Sequence, residues 1–400
     1  MLRVLVEGWT KYAHSYCVVN VYQLIALSKI PDVKLYYREV EPFRPNWPAF
    51  QSVAGLLLTD AEENTLKSIE QYKDGETEID IVYRISFQYN LKTMPDHTPV
   101  AVFYTAEFQK MSATSFVDGT GDFDAFENLV KRGKLAAIAP SLWSKKVFKG
   151  KAERKCGNFL KVIPHGVDTT KYHPDPLGRK ALRQKMKIEP TDVIFLNVGS
   201  MTLNKNIPVV IKAFYELCKK HDNVRLWLKG INSLYDCENT IHKIVDGLVK
   251  SNEMDPEVFQ KCVGNKITYF DGAMGFSSMR ELYNAADCYL SPYMAEGFNM
   301  PVLEAQACGI PVIVPKFGPT DEFIHPECAV WVDSVESVDE KGEHRLFTRP
   351  ADVETAMNFI VENGTDLINR ATKIGPTHVE EHFTWDIVAQ KMVKYFKSIV

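Results

Sequence analysis

The sequence predicts a parallel α/β fold divided into two domains, and three observations carry that expectation. Short apolar runs alternate with amphipathic segments along the chain, the pattern of buried strands joined by crossover helices. The runs form two successive series with no repeat of sequence between them. The chain is 400 residues long, which suits two domains of roughly 150–200 residues each.

The first series places strands at 3–6, 34–37, 79–85, 100–104, 135–139 and 160–163. The second places them at 192–198, 224–228, 267–270, 287–290, 311–314 and 329–332. Between the two runs Pro164-His165-Gly166-Val167-Asp168, then Lys171-Tyr172-His173-Pro174-Asp175-Pro176, whose Pro and Gly density favours a connector. The expected division is 1–168 and 169–383, with 384–400 forming a last helix. Thr384 is a suitable cap for that helix, and Ile387, Val388, Met392, Tyr395 and Phe396 make its apolar face. Trp385 reads as a packing residue.

Composition narrows the function classes. Apolar content of 45% and charged content of 24% are those of an ordinary globular chain. A formal charge of −4 argues against a general nucleic-acid binder, whose domain is usually basic. No run approaches the ~20 apolar residues of a membrane span, and the first apolar run is too short for a signal peptide. Eight cysteines lie scattered without a C-x-x-C pair, several in apolar elements, which points to buried reduced thiols in a cytoplasmic protein.

The most informative stretch is Ala295-Glu296-Gly297-Phe298-Asn299-Met300-Pro301-Val302-Leu303-Glu304-Ala305-Gln306-Ala307-Cys308-Gly309, set between two predicted strands. Pro301 can open a helix, because its missing N–H would have no partner there. The amides of Asn299, Met300, Val302 and Leu303 then form a helix N-terminus, a natural seat for phosphate. Glu296 lies in the loop before that seat and Glu304 on the first helical turn behind it. Two carboxylates would repel the phosphate itself; they make sense bonding hydroxyls on either side of it, as in a sugar nucleotide.

Glu296 and Glu304, with seven residues between them in E-G-F-N-M-P-V-L-E-A-Q-A-C-G-I-P-V-I, resemble the signature of retaining GT-B glycosyltransferases of family 4. The junction is similar to the P-N-G-V-D segment of that family. The resemblance implies two Rossmann-like domains facing across a cleft, with a C-terminal helix crossing back to the first. It also implies that Glu304 holds ribose hydroxyls, that Glu296 holds hydroxyls of the transferred sugar, and that the donor is a nucleoside-diphosphate sugar.

The predicted strand at 192–198 leads into Gly199-Ser200-Met201-Thr202-Leu203-Asn204-Lys205-Asn206 and a helix at 208–219. Asn206 can cap that helix, leaving Lys205 at its mouth, where dipole and ammonium act together on an anion. The family places an Arg after the glycine and a Lys further on; Gly199 and Lys205 fit, whereas Ser200 stands in the Arg position. Either the amides after Phe298 carry more of the load, or another base such as Lys229 or Lys266 reaches in. Lys229 sits at a carboxyl strand end, where open α/β sheets hold ligands. Tyr269-Phe270-Asp271-Gly272 is similarly placed for the nucleobase, and Asn204 completes the expected donor set. Asp287 is expected to buttress its neighbours.

In the first half, the βα turn that relatives fill with glycine reads Glu7-Gly8-Trp9-Thr10-Lys11-Tyr12-Ala13-His14-Ser15-Tyr16. Gly8, Trp9 and His14 are the acceptor-side candidates, aromatic rings being suited to stack on sugars; a core role for Trp9 or Tyr16 fits the same pattern. Many relatives carry a His after the strand at 100–104; Glu107 is the candidate substitute. Arg84 closes another strand and could meet an anionic or hydroxyl-rich partner. The basic stretch 145–161 reads as a solvated helix face, with weak contact to an anionic membrane or to a phosphorylated acceptor the alternative. Gly121-Asp122-Phe123-Asp124 matches a D-x-D metal motif, yet Asp124-Ala125-Phe126-Glu127 reads as a capping box, so no metal ligand is assigned.

The expectation is a metal-independent retaining glycosyltransferase without a resident cofactor, moving a hexose to a hydroxyl of a glycan or other acceptor. The resemblance implies front-face attack, with the leaving phosphate taking the acceptor proton. A sugar-nucleotide 2-epimerase of the same fold and a catalytically silent carbohydrate- or nucleotide-binding protein are the alternatives.

Overall fold

The computed structural model describes residues 1–45 and 47–400. They fall into two compact units, Met1–Gly166 with Phe383–Val400, and Val167–His382.

In the first unit the chain runs β1 (Leu2–Gly8), α1 (Ser15–Ser28), β2 (Val33–Glu39), α2 (Asp60–Ser68), β3 (Glu70–Gln71), β4 (Ile81–Ile85) and β5 (Val100–Phe103). It continues with α3 (Phe123–Lys131), β6 (Ala136–Ala139), α4 (Leu142–Lys145), α5 (Lys151–Cys156) and β7 (Leu160–Val162). The strands form one sheet in the order β3-β2-β1-β4-β5-β6-β7, every neighbouring pair parallel. The expected strands are present with ends shifted by a residue or two. The added β3 is exposed and polar, so it carries no hydrophobic signal; it exists only because Tyr36 and Tyr37 offer backbone partners.

The second unit runs α6 (Pro176–Lys185), β8 (Val193–Val198), α7 (Ile207–Cys218), β9 (Val224–Lys229), α8 (Asn232–Tyr235), α9 (Cys237–Lys250), α10 (Pro256–Cys262) and β10 (Ile267–Phe270). Then come α11 (Phe276–Ala285), β11 (Cys288–Leu290), α12 (Met300–Ala307), β12 (Val312–Pro315), β13 (Ala329–Val332), β14 (Val335–Val338), β15 (His344–Phe347), α13 (Pro350–Asn363) and α14 (Thr365–His382). The last helix, α15 (Trp385–Phe396), belongs to the first unit. The six-stranded parallel sheet has the order β10-β9-β8-β11-β12-β13, and β14–β15 is a separate antiparallel hairpin. That hairpin was absent from the expectation because β14 is exposed along its whole length.

Strand order decides where a site can form. In the second sheet β8 pairs with β9 on one side and β11 on the other, so the loops after β8 and β11 leave the sheet in opposite directions. Such switch points leave a crevice at the carboxyl ends of the strands. Below it lies a core of Phe195, Ile211, Phe214, Leu226, Leu228, Leu290 and Ile313, all fully buried. Asp287 anchors the sheet as expected: it accepts from Arg179, Arg183 and the Ile194 amide.

Helix α15 packs on α1 within the first unit. Thr384 caps it by accepting from the Ile387 amide, and Trp385 stacks on Tyr22 at 5.6 Å with ring planes 3° apart. A Cβ on Gly166 would lie 2.7 Å from the Trp385 nitrogen, so the junction glycine is the residue that lets the helix start dock there. In α3 the cap is Asp122, whose side chain accepts from the Ala125 amide. This corrects the expected box at Asp124 and Glu127; Glu127 instead pairs with Lys131 one turn on.

Candidate active site

Gly199 follows β8, and a Cβ there would sit 2.9 Å from Lys205 Cε and 3.2 Å from Cδ. The missing side chain therefore gives the Lys205 stem its passage back across the strand end. From there Lys205 Nζ reaches Glu296 Oε1 at 2.5 Å, both side chains largely buried. One partner comes from the β8 loop and the other from the β11 loop, so the pair spans the switch point. Asn204 ties the same two loops, its carbonyl accepting from the Met294 amide at 2.8 Å. Its side-chain Oδ1 accepts from Thr202 (2.6 Å), which in turn meets Ser200 Oγ at 2.6 Å. Ser200 thus heads a chain of hydroxyls where the family would put a guanidinium.

Asn206 precedes α7 in a left-handed conformation, φ 57°, and makes no side-chain cap. The expected capping role is replaced by another: its amide donates to the Pro292 carbonyl and Thr348, fastening the β11 loop to the helix start.

Asn299 is likewise left-handed, φ 80°, before α12. Its Nδ2 donates to Ser291 Oγ at 3.0 Å. Phe298 is buried and stacks on Phe323, centroids 4.4 Å apart; Gly297 before it is also buried. The helix spans Met300 to Ala307, with Pro301 in its first turn, which places Glu304 on the second turn and not the first. The expected amide cradle is also smaller than drawn, since the Val302 N–H donates to the Asn299 carbonyl at 3.1 Å. The amides of Asn299 and Met300 have no partner among the described residues, while Val302 and Leu303 bury their side chains in the core.

Glu304 accepts a hydrogen bond from Tyr283 at 2.6 Å. Burial raises its carboxyl to about 7, opposed only by that hydrogen bond. Both Glu296 and Glu304 push up the buried Tyr289 hydroxyl, after the larger effect of burial. Tyr289 thus lies near both carboxylates, and the structure brings Lys205, Glu296 and Glu304 into one neighbourhood.

The two candidate cations, Lys229 and Lys266, are instead held by the chain itself. Lys229 is 3% exposed, and its ammonium holds the carbonyls of Gly230 (2.7 Å) and Gly272 (2.5 Å). Burial lowers it to about 8, and it serves the loop instead of replacing the missing guanidinium. Lys266 precedes β10 and pairs with Asp222, at the amino end of the sheet and away from the site. Phe270 packs edge-on against Trp227 at 5.2 Å, and Tyr269 donates to Asn232.

In the first unit Trp9 is 0% exposed and sits among Tyr12, His14, Tyr16, Phe43 and Trp47. It is a core residue, so the expected sugar platform is corrected. His14 caps α1, accepting from the Tyr16 amide, and burial lowers it to about 4. Gly8 has no room for a Cβ, which would meet Asn20 Nδ2 and the Ile85 carbonyl at 2.7 Å. Arg84 is buried and holds Glu7 at 2.8 Å together with the carbonyls of Asn90 and Lys92. Its expected partner outside the chain is replaced by these internal ones. Glu107 is exposed, and its carbonyl accepts from Trp143. In the basic stretch Lys145 pairs with Glu153 at 2.9 Å. All eight cysteines are free thiols. Among the described residues no group of three metal-ligating side chains is gathered, and no helix is long and apolar enough to cross a membrane.

The glycosyl transferases group 1 family model matches residues 178–343, the segment that holds Gly199, Lys205, Glu296 and Glu304. The matched segment lies wholly within the second unit, Val167–His382. This chain is 25% identical to mannosylfructose-phosphate synthase of Agrobacterium fabrum over 58% of its own length and 46% of that protein's. It is 22% identical to an uncharacterized glycosyltransferase of Methanocaldococcus jannaschii over 98% of this chain and 92% of the other. The match to the A. fabrum protein thus spans about half of that relative's length. Among solved structures, Anabaena HepE in complex with UDP and glucose superposes with a TM-score of 0.67 at 14% identity, covering 100% of both chains. The fold is GT-B, and the family match falls in its second Rossmann-like half. The readings that sequence reasoning missed, above all the Tyr283–Glu304 bond, join residues 21 positions apart on different helices; no local pattern encodes them.

Proposed function

We propose that the chain is a retaining, metal-independent glycosyltransferase that moves a hexose from a nucleoside-diphosphate sugar to an acceptor hydroxyl. The observation that carries this reading is the Lys205–Glu296 pair across the switch point, with Glu304 on the helix behind it. A diphosphate entering between the β8 loop and α12 would meet the Lys205 ammonium and the amides of Asn299 and Met300. Glu296 would exchange its ammonium partner for sugar hydroxyls, and Glu304 would take the ribose. These groups stabilise the departing diphosphate as the anomeric carbon gains oxocarbenium character, the electrostatic role that commonly contributes about 3–4 kcal/mol per donor. With Ser200 where relatives carry Arg, the reading assigns a larger share of that role to Lys205 and the backbone.

A structural neighbour supports the donor class: Anabaena HepE has been solved in complex with UDP-glucose. The acceptor is assigned to the first unit, where Glu107 remains the exposed candidate. Incubation with UDP- and GDP-hexoses and a panel of glycan, lipid and small polyol acceptors, read by mass spectrometry, tests the proposal. A glycosylated product of retained configuration supports it. An epimerised nucleotide sugar formed without acceptor would move the assignment to the epimerase, and binding without turnover to the silent protein. EDTA should leave turnover unchanged; its loss, restored by a divalent cation, would refute metal independence.

A further inference from the structure

Tyr283 lies on α11 and is fully buried, yet its hydroxyl points at a carboxylate, donating to Glu304 Oε2 at 2.6 Å. It makes no other hydrogen bond among the described residues. Its ring is wedged between Tyr172 (6.1 Å, planes 71° apart) and Tyr289 (6.0 Å, 49°), so the phenol has no room to swing away. Glu304 keeps partial exposure, and no protein donor among the described residues reaches Oε1.

We propose that Tyr283 is a positioning residue for donor binding: it pins one Glu304 oxygen from inside the domain and thereby presents the other to a ligand hydroxyl. This rests on the reading of Glu304 as a ribose-binding carboxylate. Two physical arguments favour a role beyond packing. A phenylalanine would fill the same space without burying a hydroxyl, and a buried hydroxyl is worth its desolvation only when it is bonded. Secondly, the ionisable groups facing Glu304 are Tyr283 on α11, Tyr289 on β11 and Cys308 at the end of its own helix. Among the described residues no cation contributes to holding its charge; the phenol does, against burial. Without that bond more of the carboxyl is protonated at neutral pH, and a protonated carboxyl is a poorer acceptor for a sugar hydroxyl.

The test is calorimetric titration of UDP and of GDP into the full chain from about pH 5.5 to about pH 9, in wild type, Tyr283→Phe, Tyr283→Met and Glu304→Gln. Both Tyr283 variants should bind the preferred nucleotide roughly tenfold more weakly at neutral pH, the size of one hydrogen bond to a charged group. The acid limb of their affinity should move up by about one pH unit. Turnover at saturating donor should change little, so that KM carries the effect. Tyr283→Met guards against misfolding of the Phe variant. A wild-type acid limb in a folded Tyr283 variant, with Glu304→Gln still weakening binding, overturns the Tyr283 role and leaves the donor reading in place. Unchanged affinity in Glu304→Gln, or no binding of either nucleotide to wild type, removes the donor reading and this proposal together.

Discussion

Replacing Gly199 by alanine perturbs the site through a single methyl group. The backbone there does not require glycine, since Gly199 is not among the residues with positive φ, so the substitution acts through space alone. The new Cβ would lie 2.9 Å from Lys205 Cε and 3.2 Å from Cδ, whereas carbon atoms rest at about 3.5–4.0 Å. The lysine stem must therefore retreat by about 0.5–1 Å, and the ammonium at its end moves with it. A displacement near 1 Å at a reacting group costs about 10²-fold, and complete loss of one such donor about 10²–10³-fold in kcat. Gly199→Ala should accordingly lower turnover by about 10- to 100-fold. Lys205→Ala should approach the upper limit. Because both act through one ammonium, the double variant should be no slower than Lys205→Ala alone. Initial rates at saturating donor and acceptor, with thermal melts that agree within about 2 °C, make the assay. Wild-type turnover in Gly199→Ala, or losses that multiply in the double variant, would refute the reasoning.

Two further substitutions test the assignments revised by the structure. Lys229 is lowered to about 8 from an ordinary 10.5, so between those values the unfolded chain binds more protons than the folded one. Stability should therefore rise as pH increases from about 8 to about 10.5, by up to about 3 kcal/mol; urea melts of Lys229→Met should lack that rise. Trp9→Ala should cost about 3–5 kcal/mol as a core truncation, measured by urea unfolding; native stability with lost acceptor affinity would return Trp9 to the acceptor site.

The parallel α/β class, the two strand series, the connector and the strand–loop–helix around Glu296 were legible because each is encoded locally. Apolar runs mark strands buried on both faces, Pro301 marks a helix start, and Thr384 marks a cap. The order of strands was not legible, and it is the order that brings the β8 and β11 loops to one crevice. Partners were not legible either. Lys205 and Lys229 look alike in sequence, each a lysine after a strand, but one meets Glu296 and the other is consumed by two backbone carbonyls. Arg84 and Trp9 were ambiguous for the same reason: a charge or a ring at a strand end serves a ligand only if the fold has not already satisfied it. Sequence by itself determined which residues could do chemistry and on which elements they ride. The tertiary structure alone decided which were spent internally, because burial and hydrogen-bond pairing arise from chain segments far apart in sequence, and a polar group removed from water must take whatever partner that packing provides.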